Sequence, residues 1–405
     1  MQKKLIALAV AGLMSGAAFA QTSVTVGGKF DACYQFARAQ SKDADGNMIG
    51  TKESQEGGCN STTRVSIGAK ETIAPGYEVR VDFDLRFGNV HEGKGFSQDS
   101  SNKITSTGGL NSNDKKAMAF TTPFGTLQWG TANLASNEYK LAEKPYMVTP
   151  KDTELVKFGV SQFREESLTN RNTTYWSPTF NLGPVKTLVK ATYAIGDNQK
   201  GGNNDSEGGA TLTNPSSGNV YVIGSEGVIM DGIVDWGFDV TDVRPSAAQS
   251  GAEGLGRNFT HAYLNIRPIP GNKNLKLSTA YNVFKGASVG DKSPDDAVAG
   301  YYKEKTTNFV LSYNFDGKAE VGLGVSHLMD MGSGPTGRNS GKSIMIGGSY
   351  FLSKSVQVYA NLQKTDFERQ EKLTNGKYVG NAVGFSGDAT KADATTIKVG
   401  IMKEF

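Results

Sequence analysis

The amino-acid sequence predicts an all-β protein, a sixteen-stranded antiparallel transmembrane β-barrel. Three observations lead to this prediction. Apolar side chains recur at every second position over segments of about ten residues, and very short turns alternate with long polar loops along the chain. After Ala20, the sequence contains no apolar run close to the length of about 20 residues that a membrane-spanning helix needs. Strands with one apolar face are therefore the expected spanning elements.

The amino terminus is a targeting segment. Lys3 and Lys4 precede an apolar stretch from Leu5 to Met14, and small residues flank Phe19 in Ala18-Phe19-Ala20. This pattern is typical of a secretory signal peptide cleaved after Ala20; the alternative is a buried amino-terminal helix. We expect residues 1–20 to be the signal peptide and residues 21–405 to form one barrel domain.

The predicted strands follow in hairpins. The first pairs Ser23 to Ala37 with Ser61 to Glu71, and its connection, Gln40 to Gly58, is expected to be a long polar loop. A loop of about forty residues, Ala132 to Asn170, follows the fifth strand without clear alternation. The other fourteen strands are Tyr77 to Gly88, Lys116 to Thr122, Thr126 to Thr131, Arg171 to Phe180, Lys186 to Ile195, Asn219 to Gly227, Ile233 to Val243, Asn258 to Arg267, Leu275 to Phe284, Lys305 to Phe315, Ala319 to Met329, Lys342 to Phe351, Ser355 to Phe367 and Asp393 to Phe405.

The last strand closes the predicted barrel. Ile397, Val399 and Ile401 alternate with polar or small residues up to the terminal Phe405. An even number of strands places both termini on one rim, where the first and last strands can pair and leave no edge exposed to lipid. The second face of the strands is polar throughout, which favours a water-filled lumen over the alternative of a secreted β-sandwich or propeller.

Composition excludes several functions. Without Lys3 and Lys4, 41 basic side chains balance 40 acidic ones, so a nucleic-acid partner is not expected. Four short segments resemble catalytic, nucleotide or calcium motifs: Gly286 to Gly290, Gly332 to Gly337, Gly341 to Ser343 and Asp43 to Asn47. The first three are not followed by a helix, as their motifs require, and the last lacks the turn glycine of a calcium loop. We expect no catalytic, cofactor or metal site.

Two cysteines, Cys33 and Cys59, lie in the first hairpin. Export carries them through an oxidising compartment, and their strands would be adjacent, so a disulfide is expected to close the first loop. The alternative is two unpaired thiols.

Four segments resemble the trimeric general porins of Gram-negative outer membranes, in their β-proteobacterial branch. They are Val24 to Ala32, Thr63 to Glu71, Pro75 to Val79 and Thr122 to Gly130, and with the terminal Phe405 their order and spacing cover the chain. The resemblance implies short periplasmic turns, long extracellular loops and a third loop folded into the barrel. It also implies a homotrimer in contact with outer-membrane lipid and lipopolysaccharide, with Phe405 as the terminal assembly signal.

In such a channel, ions and small hydrophilic solutes diffuse passively and no chemical step occurs. The resemblance implies that acidic residues of the third loop face a basic wall. The alternation along the strands predicts that the basic residues Lys29, Arg64, Arg80 and Arg86 face the lumen, together with Asp31, Asp82 and Asp84. The candidate acidic residues on the third loop are Glu138, Glu143, Asp152 and Glu154. Basic groups near the narrowest point would favour anions. A substrate-specific channel and a non-pore barrel, such as an adhesin or outer-membrane enzyme, remain as alternatives.

Overall fold

The computed structural model describes residues 21–43, 45–57, 63–87, 97–98, 104–105, 110–111, 115–137, 139–143, 169–194, 219–244, 257–269, 272–287, 301–330, 339–369 and 391–405. The predicted signal peptide lies outside these residues. Sixteen strands form the barrel: β1 Gln21–Lys42, β2 Arg64–Ala74, β3 Tyr77–Phe87, β4 Lys116–Thr122, β5 Gly125–Ala132, β6 Thr169–Trp176, β7 Val185–Ala194, β8 Asn219–Ile229, β9 Val234–Arg244, β10 Arg257–Ile266, β11 Leu275–Ala287, β12 Tyr301–Asn314, β13 Ala319–Asp330, β14 Asn339–Ser353, β15 Val356–Arg369 and β16 Lys391–Glu404. Each predicted strand is present.

The sheet closes on itself as predicted. Every barrel strand pairs antiparallel with the next, and β1 pairs with β16 from Lys29 opposite Glu404 to Lys42 opposite Lys391. The amino-terminal part of β1 pairs instead with β2, from Gln21 opposite Thr72 to Lys29 opposite Arg64. Closure gives hydrogen-bond partners to the backbone N–H and C=O groups that an edge strand would expose to lipid.

The two faces of the sheet have the distribution expected of a barrel in hydrocarbon. On β14, Ile344 and Ile346 are 53% and 55% exposed, whereas Ser343 and Ser349 are buried. On β12, Phe309 is exposed while the side chain of Asn308 is buried. Apolar side chains thus point outward and polar ones inward, the reverse of a water-soluble sandwich.

The first hairpin is longer than predicted. Instead of an irregular loop, Met48–Gly57 is a strand that pairs with Tyr34 to Lys42 of β1. At its tip, the Asn47 amide donates to Asp43 Oδ1 at 2.7 Å. Backbone ladders form whatever the side chains are, and this polar extension has no apolar face for a periodicity argument to detect.

Short turns lie at one rim. They include Pro75-Gly76, Pro123-Phe124 and Asp316-Gly317, and φ values of 80° at Gly76 and 74° at Gly317 explain the glycines there. Further short strands are Ser97–Gln98, Ile104–Thr105, Leu110–Asn111 and Phe180–Leu182. Within the described part of the chain, no helix is long and apolar enough to cross a membrane.

Candidate functional site: the lumen face and the third loop

A row of basic positions crosses the inner face of the first three strands. In the backbone register, Lys29 of β1 lies opposite Arg64 of β2, and Arg64 lies opposite Arg86 of β3. The Arg64 side chain is exposed to the lumen and has no ion-pair partner among the described residues. The side chain of Arg86 lies outside the description. The strands therefore bring three of the predicted basic positions onto one row across β1, β2 and β3.

The predicted acidic residues of this wall differ in accessibility. Asp82 Oδ2 accepts from Arg80 Nη2 at 2.8 Å and from Lys115 Nζ at 3.2 Å. Asp84 shares this face and is half-buried. Asp31 is fully buried, and its Oδ1 accepts from the Tyr359 hydroxyl at 2.8 Å. Asp31 is thus part of the wall's internal packing.

Cys33 lies two residues after Asp31, and its side chain packs with Tyr359 and Met402. Cys33 is disulfide-bonded. Cys59 lies outside the described residues, so the pairing of Cys33 with Cys59 stays a prediction.

After β5 the chain turns onto the inner face of the strands that follow it in the sheet. Asn172 Nδ2 of β6 donates to the carbonyl oxygen of Ala132 at 2.8 Å and to that of Asn133 at 3.1 Å. Leu134 packs in a buried apolar cluster with Ala194, Val220 and Val222. The Ala135 amide donates to Thr192 Oγ1 at 2.9 Å. These contacts hold the start of the third loop against the wall formed by β6 to β8.

Glu226 of β8 is the central anchor of the loop. Its Oε1 accepts two consecutive backbone amides, from Lys140 at 2.5 Å and Leu141 at 2.7 Å. Its Oε2 lies 3.3 Å from Lys190 Nζ of β7, and both side chains have no exposed area. The ammonium group of Lys190 also lies 5.2 Å from the centre of the Tyr139 ring. One buried carboxylate thus joins the loop backbone to the barrel wall.

A second anchor forms at Glu143. Its carboxylate contacts Arg267 Nη2 at 2.6 Å and Lys276 Nζ at 2.9 Å, and its backbone oxygen accepts from Asn265 Nδ2 at 2.8 Å. Arg267 Nη1 also binds Asp235 Oδ2 at 3.1 Å. Glu143, predicted on the loop, therefore faces basic residues of the β10 to β11 region. Glu138, Asp152 and Glu154 lie outside the described residues.

Aromatic and cationic contacts fill the space between the anchors. Tyr139 meets Tyr263 edge to face, with ring centres 5.4 Å apart, and Lys140 Nζ lies 4.5 Å from the Trp176 ring centre. Next to Tyr263, His261 Nδ1 lies 3.0 Å from Asp239 Oδ2, with both side chains buried. Among the described residues, no group of three or more His, Cys, Asp or Glu side chains is placed to hold a metal ion.

Sequence reasoning missed Lys190, Glu226, Arg267 and Lys276, because it considered basic residues of the first three strands only. A signal was present. Each of these residues has inner-face parity, and Lys190 and Glu226 are flanked on that face by small or apolar side chains such as Thr192 and Gly224. A single charge in such a row needs a partner inside the barrel, since a buried charge is otherwise costly.

Acidification is expected to release the Glu143 anchor. Partial burial raises the pKa of Glu143, but attraction to Lys276 and Arg267 outweighs it and holds the pKa below the ordinary value of 4.5. A carboxyl with a depressed folded-state pKa contributes stability above its unfolded pKa and loses that contribution as the pH falls through the folded value. Current noise in planar bilayers should therefore rise below pH 4.5. Glu143→Gln should show the raised current noise already at neutral pH. The same dependence of current noise on pH in the wild type and in Glu143→Gln would contradict this.

The family model of the Gram-negative porins matches residues 7–370. The anion-selective porin from Comamonas acidovorans is similar in structure, with a TM-score of 0.60 and 17% identity over 95% of this chain and 100% of that chain. The trimer form of OmpT from Vibrio cholerae has a TM-score of 0.60 and 11% identity over 95% of this chain and 99% of that one.

OmpF of Salmonella typhi, in complex with daunomycin, has a TM-score of 0.56 and 14% identity over 94% of this chain and 97% of that one. A comparison with curated protein sequences gives no match. The family match over most of the chain and the closed barrel lead to one conclusion: the chain belongs to the Gram-negative porin family and forms a passive diffusion channel in the outer membrane.

Proposed function

We propose that this porin is a general diffusion channel that prefers anions. The observation that carries the proposal is the row formed by Lys29, Arg64 and Arg86 on the lumen face. Like charges on directly opposite positions of neighbouring strands repel and destabilise a sheet. Water and mobile anions in the lumen reduce this repulsion, so the row would enrich anions locally.

The acidic groups of the same wall, which include Glu404 opposite Lys29 in the register of β1 and β16, offset this field only in part. Asp82 is engaged by both Arg80 and Lys115, and Asp31 is buried. Asp84 remains on this face without an ion pair among the described side chains. Arg64 therefore contributes more uncompensated charge to the lumen than Arg80 does. Charge in a narrow passage with low-dielectric walls selects solutes of the opposite sign without closing the pore.

The second part of the proposal concerns the third loop. Its contacts with Glu226, Arg267 and Lys276 support a role in narrowing the lumen from the β6 to β11 side. Solutes would then pass between the loop and the basic row on β1 to β3. Passive diffusion through such a passage needs no catalytic residue, and we propose that the protein is not an enzyme.

The comparisons support the proposal at a coarser level. One structural neighbour is described as an anion-selective porin and another as a trimer form. We propose that this chain likewise assembles as a homotrimer surrounded by outer-membrane lipid and lipopolysaccharide. Stepwise triplet conductance of purified protein in planar bilayers would support the trimer, and conductance without solute saturation would favour a general channel over a substrate-specific one.

The reversal potential in a salt gradient tests the anion preference. We expect the wild type to favour chloride over potassium, and Arg64→Ala to reduce that ratio clearly. Arg80→Ala should have a smaller effect, because Arg80 is paired with Asp82. A cation-selective wild type whose reversal potential does not change with Arg64→Ala would overturn the proposal.

A further inference from the structure

Among the described residues on the inner face of β12 to β16, one charged side chain lies away from the short-turn rim. The described charged residues of this face are Glu320, Lys398 and Glu404. Glu320 accepts from Asn314 beside a short turn, and Glu404 lies opposite Lys29 where the barrel closes. Lys398 precedes Glu404 on β16 by six residues, which places it about 20 Å further toward the long loops.

The nearest neighbours of Lys398 across the sheet are uncharged. In the register, Gln35 of β1 lies on one side of it and Asn361 of β15 on the other. Gly347 of β14 follows Asn361 in the same row, and Glu56 holds the position beyond Gln35, two strands from Lys398. Lys398 is partly exposed, and no carboxylate of the described residues lies within ion-pair distance of it. Its charge is therefore available to ions in the lumen.

The ring of Tyr359 supports the ammonium group. Lys398 Nζ lies 5.6 Å from the centre of this ring, a distance at which an aromatic face attracts a cation. The Tyr359 side chain crosses β16 at Gly400, where a Cβ atom would be 2.5 Å from Tyr359 Cζ and 2.8 Å from Cys33 Cβ. Its hydroxyl reaches β1 and donates to Asp31 Oδ1 at 2.8 Å. The ring thus lies between Lys398 and Asp31.

The same side chain covers Asp31. Asp31 is fully buried, and Met402 lies opposite it in the register. Tyr359, Met402 and Cys33 form one buried apolar cluster around this carboxylate. Ions in the lumen are therefore kept from direct contact with Asp31, whereas Lys398 on the other side of the ring is partly exposed to them.

We propose that Lys398 is a further selectivity-determining residue of the channel and that Tyr359 is the positioning residue that presents it to the lumen. The inference rests on the proposed anion preference and extends it to a wall outside the basic row on β1 to β3. Gln35, opposite Lys398, follows Lys29 by six residues, so the two positions are about 20 Å apart along the strand. This exceeds the Debye length of about 8–10 Å, and each charge acts on permeating ions separately.

The reversal potential in a potassium chloride gradient tests the role of Lys398. Near about 0.1 M salt, Lys398→Gln should lower the chloride-to-potassium permeability ratio about two- to fourfold. At about 1 M the effect should largely disappear, because the screening length falls to about 3 Å. Lys398→Arg should keep the wild-type ratio, since it keeps the charge.

Lys403→Gln is the matched control, because it removes an exposed lysine from the outward face of the same strand. We expect it to leave the permeability ratio unchanged, and all three variants to keep the wild-type conductance at high salt. A wild-type ratio in Lys398→Gln at low salt, or an equal change in Lys398→Gln and Lys403→Gln, would overturn the proposal.

The role of Tyr359 is tested with Asp31 in a double-mutant comparison. Tyr359→Ala removes the ring under Lys398 and uncovers Asp31, so the permeability ratio should fall. Adding Asp31→Asn should bring the ratio back toward that of the wild type. Tyr359→Phe keeps the ring but loses the bond to Asp31, so its ratio should fall less, and it carries the test if Tyr359→Ala does not assemble. An unchanged ratio in the Tyr359 variants would show that Tyr359 does not position the charge.

Failure of this inference and failure of the proposed function give different results. A cation-selective wild type would overturn the proposed anion preference. A channel whose permeability ratio changes with Arg64→Ala but not with Lys398→Gln would overturn the inference on Lys398 alone.

Discussion

Glu226→Ala is expected to lower the free energy of unfolding by about 3–5 kcal/mol, because it removes the carboxylate that pairs with the buried ammonium group of Lys190. Glu226 and Lys190 both have no exposed area, 3.3 Å apart at Oε2 and Nζ. The substitution also removes the acceptor of the Lys140 and Leu141 amides. The third loop should then lose its central contact with β8, and the open channel should conduct more and with more noise.

Two further variants separate the ion pair from the loop contact. Glu226→Gln keeps an oxygen acceptor for the loop amides but not the charge, so it should destabilise the barrel with little change in conductance. Combining Glu226→Gln with Lys190→Met should recover much of the lost stability. Denaturant unfolding in lipid vesicles and single-channel recording provide the two readouts. An unchanged conductance of Glu226→Ala would show that Glu226 does not hold the loop.

Deletion of Phe405 is expected to abolish most of the assembled barrel. The Gly28 amide donates to the Phe405 oxygen at 2.9 Å, and the Phe405 amide donates to the Gly28 oxygen at 3.1 Å. These two bonds extend the closing ladder between β1 and β16. Without them, a donor and an acceptor of Gly28 lie unpaired at the membrane boundary, where each unpaired group costs several kcal/mol in lipid.

Phe405→Ala is the matched control, because it keeps both backbone bonds and removes only the ring. The ring lies over Gly28: a Cβ atom built there would be 2.5 Å from Phe405 Cζ and 2.7 Å from the Arg64 backbone oxygen. We expect Phe405→Ala to assemble less than the wild type but more than the deletion. Heat-modifiable mobility of outer-membrane fractions measures this. If the deletion and Phe405→Ala assemble equally poorly, ring recognition rather than strand closure is the cause.

The strands could be predicted because lipid and water impose opposite demands on the two faces of each strand. Ile344 and Ile346 face outward and Ser343 inward in the structure, as their alternation indicates. The extension at Met48–Gly57 could not be predicted, since both its faces are polar and its ladder depends on backbone groups alone. Parity likewise predicts an inward direction for Lys29 and Arg64, whereas their opposition in one row depends on register.

The sequence by itself determined that this protein is exported, crosses the membrane with sixteen strands and closes between its two termini. The alternation of apolar side chains along each segment indicates the spanning strands, because only one face of each strand lies against lipid. The tertiary structure alone decided where the third loop lies. Glu226 and Lys140, 86 residues apart, and Glu143 and Lys276, 133 residues apart, are partners only after the sheet has curved into a barrel. Whether two buried charges pair depends on their distance in the folded barrel, and the local sequence pattern does not indicate that distance.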